Sequence, residues 1–483
     1  MKPSLPTSLV KSSVNSHSWL GLLTGALMYL VCVSGTVVVF TDYLERWEQP
    51  DVAEFQQMTP ALAGQVYSQL HEVVPDIGGD ILLMLPQSGA PRASLISAEG
   101  AWYLNEDGSR GDDISHDWTT MMADMHVYLH LPSSFGMIVV SILGAMLCGL
   151  IISGLFAHPN IIRDAFNLRL RGSRRLQQTD IHNRLSVWGA PFHLVIAVTG
   201  AYFGLAVLMN MIFASAFFDG DNERVIGEIF GAPPALQQDV AVMDVEAALN
   251  ELAVVAPEAN PFYVTVEDAN TPQQYMIIGA EHEGRLIYAE QYRFDQAGQY
   301  LGKAGYTDGA LGRQAIFSVF RLHFGHFGGL SVLFLYGVFG LALCVVCVSG
   351  INIWLSRRKT RDALNNIWTG LVWGTPAAIA GSALLVLLAG LPAVASLWLV
   401  LVACIALAQV LNNDAGGKSM LQLLSGGLVL GLVVLHVLKY QQLALRDAAL
   451  AVNVCFAASG LILLWLGLRS KRKTNAVAAP ANA

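Results

Sequence analysis

Runs of apolar residues long enough to cross a lipid bilayer constrain this chain more than any other feature. They fall at about 18–40, 135–156, 187–212, 328–355, 367–390, 392–411, 420–438 and 447–468. Each is close to or above the ~20 residues that a helix needs to span a ~30 Å hydrocarbon layer. Backbone N–H and C=O groups must be satisfied inside such a layer, so each run is expected to be helical. Composition agrees: 54% of residues are hydrophobic, 13% are charged and the mean hydropathy is +0.49. The chain therefore reads as an α-helical polytopic membrane protein with about eight spans. The first run has a long apolar core and no small-x-small cleavage site behind it, so it reads as a retained anchor.

Charge placement orients these spans. Arg163, Arg169, Arg171, Arg174 and Arg175 follow the second run, Arg357, Arg358, Lys359 and Arg361 the fourth, and Arg469, Lys471, Arg472 and Lys473 the eighth. The positive-inside rule then puts both termini in the cytoplasm. The organisation expected is a first helix over 1–41, an outer domain over 42–124, a second helix over 125–157 and a basic loop over 158–181. A third helix over 182–217, a second outer domain over 218–322, a fourth helix over 323–356 and a basic loop over 357–366 follow. A four-helix extension over 367–468 and a tail over 469–483 complete the chain. The outer segments carry the acidic excess (Glu106, Asp107, Asp112, Asp113, Asp117), read as a solvated face. The formal net charge of −8 hides this asymmetry and points to no nucleic acid partner.

Both outer segments have an α+β pattern. The first runs "ALAGQVYSQLHEVVP", "DILLMLP", "RASLIS" and "WYLNEDGSRG". The second runs "DVEAALNELAVVAP", "PFYVTVE", "QQYMIIGA" and "GRLIYAEQYRF" before the turn "DQAGQ". His71, His116 and His282 are isolated there and read as surface or local structural residues. All six cysteines lie in apolar runs, so the outer domains are expected to fold without disulfides. Cys344-x-x-Cys347 sits deep in the fourth run and reads as small core residues.

An internal repeat organises the first four runs. "HSWLGLLTGALMYLVCVSGTVVVF" from His17 aligns without a gap with "HNRLSVWGAPFHLVIAVTGAYFGL" from His182, matching His17 to His182, Val33 to Val198 and Gly35 to Gly200. The second and fourth runs align likewise, His130 with His326, Gly144 with Gly340, Cys148 with Cys344 and Ser153-Gly154 with Ser349-Gly350. Duplicated membrane units commonly place their shared site at the interface between the copies.

Nine of the 12 histidines stand in or beside the apolar runs, where ionisable residues are rare and functional by default. They sort into two layers. His17, His158, His182 and His193 lie at one end of helices one to three, and His126, His130, His323 and His326 at the other end of helices two and four. Residues three or four apart share a helical face, so each outer pair is expected to point into one site. Imidazoles from facing helices are the axial ligand set of a b-type haem, and two layers would make a two-haem wire. Few carboxylates or thiols join these histidines, which argues against a zinc-type site. A proton relay would use the same residues but would normally add Asp or Glu inside the helices. His158, before Pro159, reads as a loop residue, and His436 as core packing or interfacial.

The segments "LHLPSSFG", "SGLFAHPNIIRDAFNLRLRGSRRLQQTDIHNRLSVWGAPFHLVIAVTGAYFGL" and "RLHFGHFGGL…LYGVFGLALCVVCVSGINIWLSRR" resemble those of PepSY-associated transmembrane proteins, also called iron-regulated or iron-uptake membrane proteins. The resemblance covers about residues 1–360. It implies PepSY-like outer domains in the periplasm, a bacterial inner-membrane location and kinship with dihaem ferric-siderophore reductases. His17, His126, His182 and His323 match the histidines that open the family's helices. His130 and His193 match the pattern of a subgroup, and His326 takes a more variable position.

The resulting expectation is an enzyme with two haem b groups. One is held by His17 with His182 or His193, the other by His126 or His130 with His323 or His326. Electrons would pass to Fe³⁺ in a siderophore or similar chelate. No Gly-rich phosphate loop follows a strand, so the donor is expected to be quinol or a separate reductase. The alternatives are a non-enzymatic PepSY binding or regulatory membrane protein, and a component of a siderophore or metal transporter.

Overall fold

In a computed structural model, residues 5–158, 160–166 and 173–478 are described, so Pro159, Arg169 and Arg171 lie outside the described residues. Eight helices are long and apolar enough to cross a membrane among these residues. They are α1 (Thr7–Val38), α5 (Ser133–Ala157), α7 (Arg174–Phe217), α11 (Gly329–Leu355), α12 (Ala363–Ala389), α13 (Ala393–Leu411), α14 (Asp414–Tyr440) and α15 (Asp447–Ala478). Each coincides with one of the eight apolar runs. Between them stand shorter helices α2 (Thr41–Glu48), α3 (Pro60–Val73), α4 (Asp117–Tyr128), α6 (Ile161–Asp164), α8 (Asn222–Phe230), α9 (Val245–Val255) and α10 (Leu311–Phe324). The spans leave large apolar side chains such as Leu23, Ile212, Leu341, Val410 and Leu438 uncovered by protein. These are the side chains that lipid covers in a membrane protein.

The chain divides into two compact units. One comprises residues 1–51, 116–201 and 334–483; the other comprises 52–115 and 202–333. The second unit contains eight strands in one antiparallel sheet of order β4-β3-β2-β1-β5-β6-β7-β8. They are β1 (Gly79–Met84), β2 (Ala93–Ser97), β3 (Gly100–Leu104), β4 (Arg110–Asp113), β5 (Ala259–Ala269), β6 (Tyr275–His282), β7 (Glu290–Phe294) and β8 (Tyr300–Lys303). Two separate outer domains were the sequence expectation. Instead β1 pairs with β5, Leu83 opposite Val264 and Leu82 opposite Thr265, and the two α+β segments share a sheet and a core. The reason is the edge: a four-stranded meander with an apolar β1 leaves unpaired backbone groups that the equivalent strand of the other copy satisfies. The last expected strand starts later than its pattern indicated, at Glu290, because Ile287 packs instead with Ala304 and Tyr306.

Helices α3 and α9 cover the sheet through Ala63, Val66, Tyr67 and Leu70, and through Val245, Ala248, Leu249 and Leu252. Both start at side-chain caps. Thr59 accepts from Leu62 N at 3.2 Å and Asp244 from Ala247 N at 2.9 Å. His71 and His282 are local structural residues, hydrogen-bonded to Tyr67 and Tyr292 hydroxyls at 2.9 Å each.

In the first unit, glycines set the helix contacts. A Cβ on Gly144 of α5 would lie 2.9 Å from Ala201 N and 3.0 Å from the Ala197 carbonyl of α7. Gly340 of α11, its partner in the repeat, lies as closely against Thr36 of α1, with a Cβ 2.5 Å from Oγ1. The second helix of each copy thus packs closely against the first helix of the other, onto backbone at Gly144 and onto the Thr36 side chain at Gly340, as small residues permit in membrane interfaces.

A capping contact holds α4. The Glu48 carboxylate at the end of α2 accepts from Trp118 N (2.9 Å), Thr119 N (3.0 Å) and Thr119 Oγ1 (2.9 Å). Burial pushes its carboxyl above the ordinary range. Glu48→Ala leaves two buried amides without acceptors and is expected to destabilise α4 by ~1–2 kcal/mol. Amide exchange over residues 117–121 measures it, and unchanged protection would show that the cap is dispensable.

Candidate functional site

A cavity of about 400 Å³ opens in the first unit between α1, α5, α7 and α11. His17, His182 and His193 line it, with His158 at its end and Gly21, Gly25, Gly154 and Gly350 forming part of its wall. The volume falls within the ~300–1,000 Å³ of small-molecule and cofactor sites.

The two histidines matched by the repeat meet here. His17 and His182 have ring centres 6.1 Å apart with planes at 81°. Each is held by the second helix of its own copy in the same way. His17 Nδ1 donates to the Leu150 carbonyl at 3.0 Å, with Ser153 Oγ at 3.3 Å. His182 Nδ1 donates to the Val346 carbonyl at 3.1 Å, with Ser349 Oγ also at 3.1 Å. The next residue in each helix is glycine. A Cβ on Gly154 would stand 3.1 Å from His17 Cε1, and one on Gly350 would stand 3.3 Å from His182 Cε1. Leu150, Ser153 and Gly154 align with Val346, Ser349 and Gly350, so the repeat carries a whole histidine seat and not the histidine alone. Fixing the proton on Nδ1 orients each ring and leaves Nε2 as the basic nitrogen. Neither Nε2 makes a hydrogen bond among the described residues.

His193 lies deeper in the same cavity, 2% exposed, with Nε2 donating to the Phe339 carbonyl at 3.2 Å. Its counterpart in α1 by the same alignment is Met28, which also lines the cavity. His158 takes an ion-pair position 3.6 Å from Asp164, consistent with the loop role read for it.

The other histidine layer is arranged differently from the helical-face expectation. His126 is on α4, but Leu129 and His130 both have φ of 56°, a left-handed break that ends α4 before α5 begins. His126 and His130 therefore do not share a face. His126 sits on α1: Nδ1 donates to the Val31 carbonyl at 2.9 Å, and a Cβ on Gly35 would come within 2.5 Å of its Cε1. His130 has both ring nitrogens engaged. Its Nε2 donates to the Met121 carbonyl at 2.8 Å, and its Nδ1 accepts from Trp398 Nε1 at 2.9 Å. In the second unit, α10 ends likewise at a left-handed Gly325 (φ 75°), placing His323 in its last turn and His326 beyond it. His326 stands beside the rings of Phe320 and Phe324 at 6.5 and 5.9 Å.

The remaining membrane histidine is a core residue with partners that sequence reading missed. His436 is fully buried, stacked on Trp47 at 4.6 Å, with Nε2 donating to the Trp47 carbonyl and Nδ1 accepting from Asn453 Nδ2. Cys344 is buried with its sulfur 3.8 Å from Thr36 Oγ1, a packing position as read.

The family described as PepSY-associated TM region matches residues 14–357, which takes in both copies of the repeat and stops before α12. An uncharacterized protein of Pseudomonas aeruginosa, PA4219, is 28% identical over 266 residues, spanning 52% of this chain and 68% of that protein. The matched span carries every histidine of both layers, together with the Ser-Gly seats. The chain belongs to the PepSY-associated transmembrane family.

Proposed function

We propose that this protein is a haem-dependent electron carrier of the bacterial inner membrane that reduces ferric iron held in a siderophore or similar chelate. The observation that carries this reading is the seated pair His17 and His182. The two rings line one cavity and come from equivalent positions of the two copies, so a single haem iron would be held by both. The observed separation of ring centres is 6.1 Å. The donor set fits as well: two neutral nitrogens, each with its other N–H tied to a carbonyl, in a cavity walled by glycine and apolar side chains.

Bound there, haem would supply a reversible one-electron iron couple. The chain's part is to hold and insulate it. His17 and His182 would hold it through Nε2, while Leu150, Val346, Ser153 and Ser349 fix their tautomers. Leu22, Leu147, Leu343 and Ile351 line the wall and lower the local dielectric. His193 extends the cavity toward the middle of the span. His126, seated on Val31 and Gly35 in the same manner, is the proposed ligand of a second haem. Its partner, His323 or His326, rests on the family resemblance, which favours His323. One electron from quinol or a separate reductase then converts Fe³⁺ of the chelate to Fe²⁺, which hard oxygen donors hold less tightly.

The absorption spectrum of the purified full-length protein, expressed with adequate haem, tests this directly. The expected result is a Soret band whose ferrous form is reoxidised by a ferric chelate. A colourless protein would leave the anchor-and-binding alternative in its place.

A further inference from the structure

The extension α12–α15 lies outside the family match, which ends at residue 357. Its polar contacts are concentrated on elements of the first copy. Tyr29 Oη of α1 donates to the Val372 carbonyl at 2.9 Å. Trp47 Nε1 of α2 donates to Asn453 Oδ1 at 3.0 Å, and His436 Nε2 donates to the Trp47 carbonyl at 2.8 Å. Trp118 Nε1 of α4 reaches the Ile379 carbonyl at 3.1 Å and Ser382 Oγ at 3.2 Å. Trp398 Nε1 of α13 donates to His130 at the end of α4. The first turn and the end of α4 are thus both tied to the extension, and His126 lies between them.

The last of these contacts bears on conformation. Leu129 and His130 are consecutive non-glycine residues in the left-handed region, a backbone state that costs free energy and persists only where the surroundings impose it. Trp398 donates to His130 Nδ1, which puts the ring proton on Nε2, and that proton is given to the Met121 carbonyl nine residues back, in α4. The chain Trp398–His130–Met121 therefore closes the break onto the helix it terminates. In the second copy the break is at Gly325, which adopts the conformation freely, and His326 is flanked by phenylalanine rings.

We propose that the four-helix extension is a clamp on α4, and that Trp398 is a positioning residue that holds His126 at its place on α1 through His130. The clamp stands on the hydrogen bonds alone. The redox consequence of Trp398 rests on the proposed haem ligation by His126.

The test is Trp398→Phe in the full-length protein in nanodiscs, with His130→Phe removing the same bond from the other side. Loss of one buried hydrogen bond speeds exchange of the amides it protects by about tenfold. That acceleration is expected over residues 117–131 in both variants, with no further gain in the double variant and no change over β5 and β6. Where haem is present, the electron paramagnetic resonance signal and midpoint potential of one haem are expected to shift while those of the His17–His182 site stay fixed. Unchanged exchange over residues 117–131 in both single variants overturns the clamp. Faster exchange with both haem signals unmoved overturns the positioning role. A wild-type protein without haem overturns the functional reading instead, and exchange still decides the clamp.

Discussion

His182→Ala roughly halves the haem bound per chain, and His17→Ala does the same, if the seated pair ligates one of two haems. The two substitutions are not additive, since either removes the same group; the double variant retains as much haem as each single one. Haem per protein, by pyridine haemochrome, gives the number. The seat is tested by Ser349→Ala together with Gly350→Leu. The first removes a hydroxyl 3.1 Å from Nδ1 but keeps the Val346 carbonyl, so occupancy is retained. The second places a branched side chain where a bare Cβ already stands 3.3 Å from Cε1, and occupancy is lost. Full haem content in His182→Ala would remove this pair from the site.

Gly144→Leu separates α5 from α7. Its Cβ meets backbone atoms of Ala197 and Ala201 at 3.0 and 2.9 Å, and backbone cannot turn aside as a flexible side chain can. Ser141 Oγ, hydrogen-bonded to the Gly200 carbonyl at 3.2 Å three residues earlier, is pulled away as well. A loss of ~2–3 kcal/mol or more is expected. It is read as a lower unfolding temperature and a lower yield of folded protein in detergent. Gly427→Leu is the control: no atom outside its own helix stands within 4 Å of a Cβ there, and a change within ~0.5 kcal/mol is expected. Equal losses at both positions would mean that the close contact of α5 and α7 carries no special weight.

The spans, the duplication and the His17–His182 match are all legible in the sequence, because length, hydropathy and gapless alignment are local properties of the chain. The Ser-Gly pairs were visible in the same alignment, but their use as a histidine seat became plain only when α1 met α5. The break between His126 and His130 had a signal that the helical-spacing argument overrode. Pro132 disfavours helix in the residue before it, and it serves as the N-cap of α5. Trp398, His436 and Asn453 carried no signal of this kind. Their partners are 268, 389 and 406 residues away, and nothing periodic marks them. The joined sheet was hidden for a related reason, since alternation predicts strands but not which edges meet.

That joined sheet sets an order of events during synthesis. β1 is made about 175 residues before β5, so at ~5–20 residues per second its edge waits roughly 10–35 s for the strand that covers it. In that interval Ile81, Leu82 and Leu83 present an apolar, unpaired edge, and α5 and α7 must both be inserted before relief arrives. A chain truncated after the second span would carry a half-sheet with a standing invitation to pair with another copy of itself. The two halves of the chain are therefore tied together in folding: the sheet edge made by the first is closed only by the second.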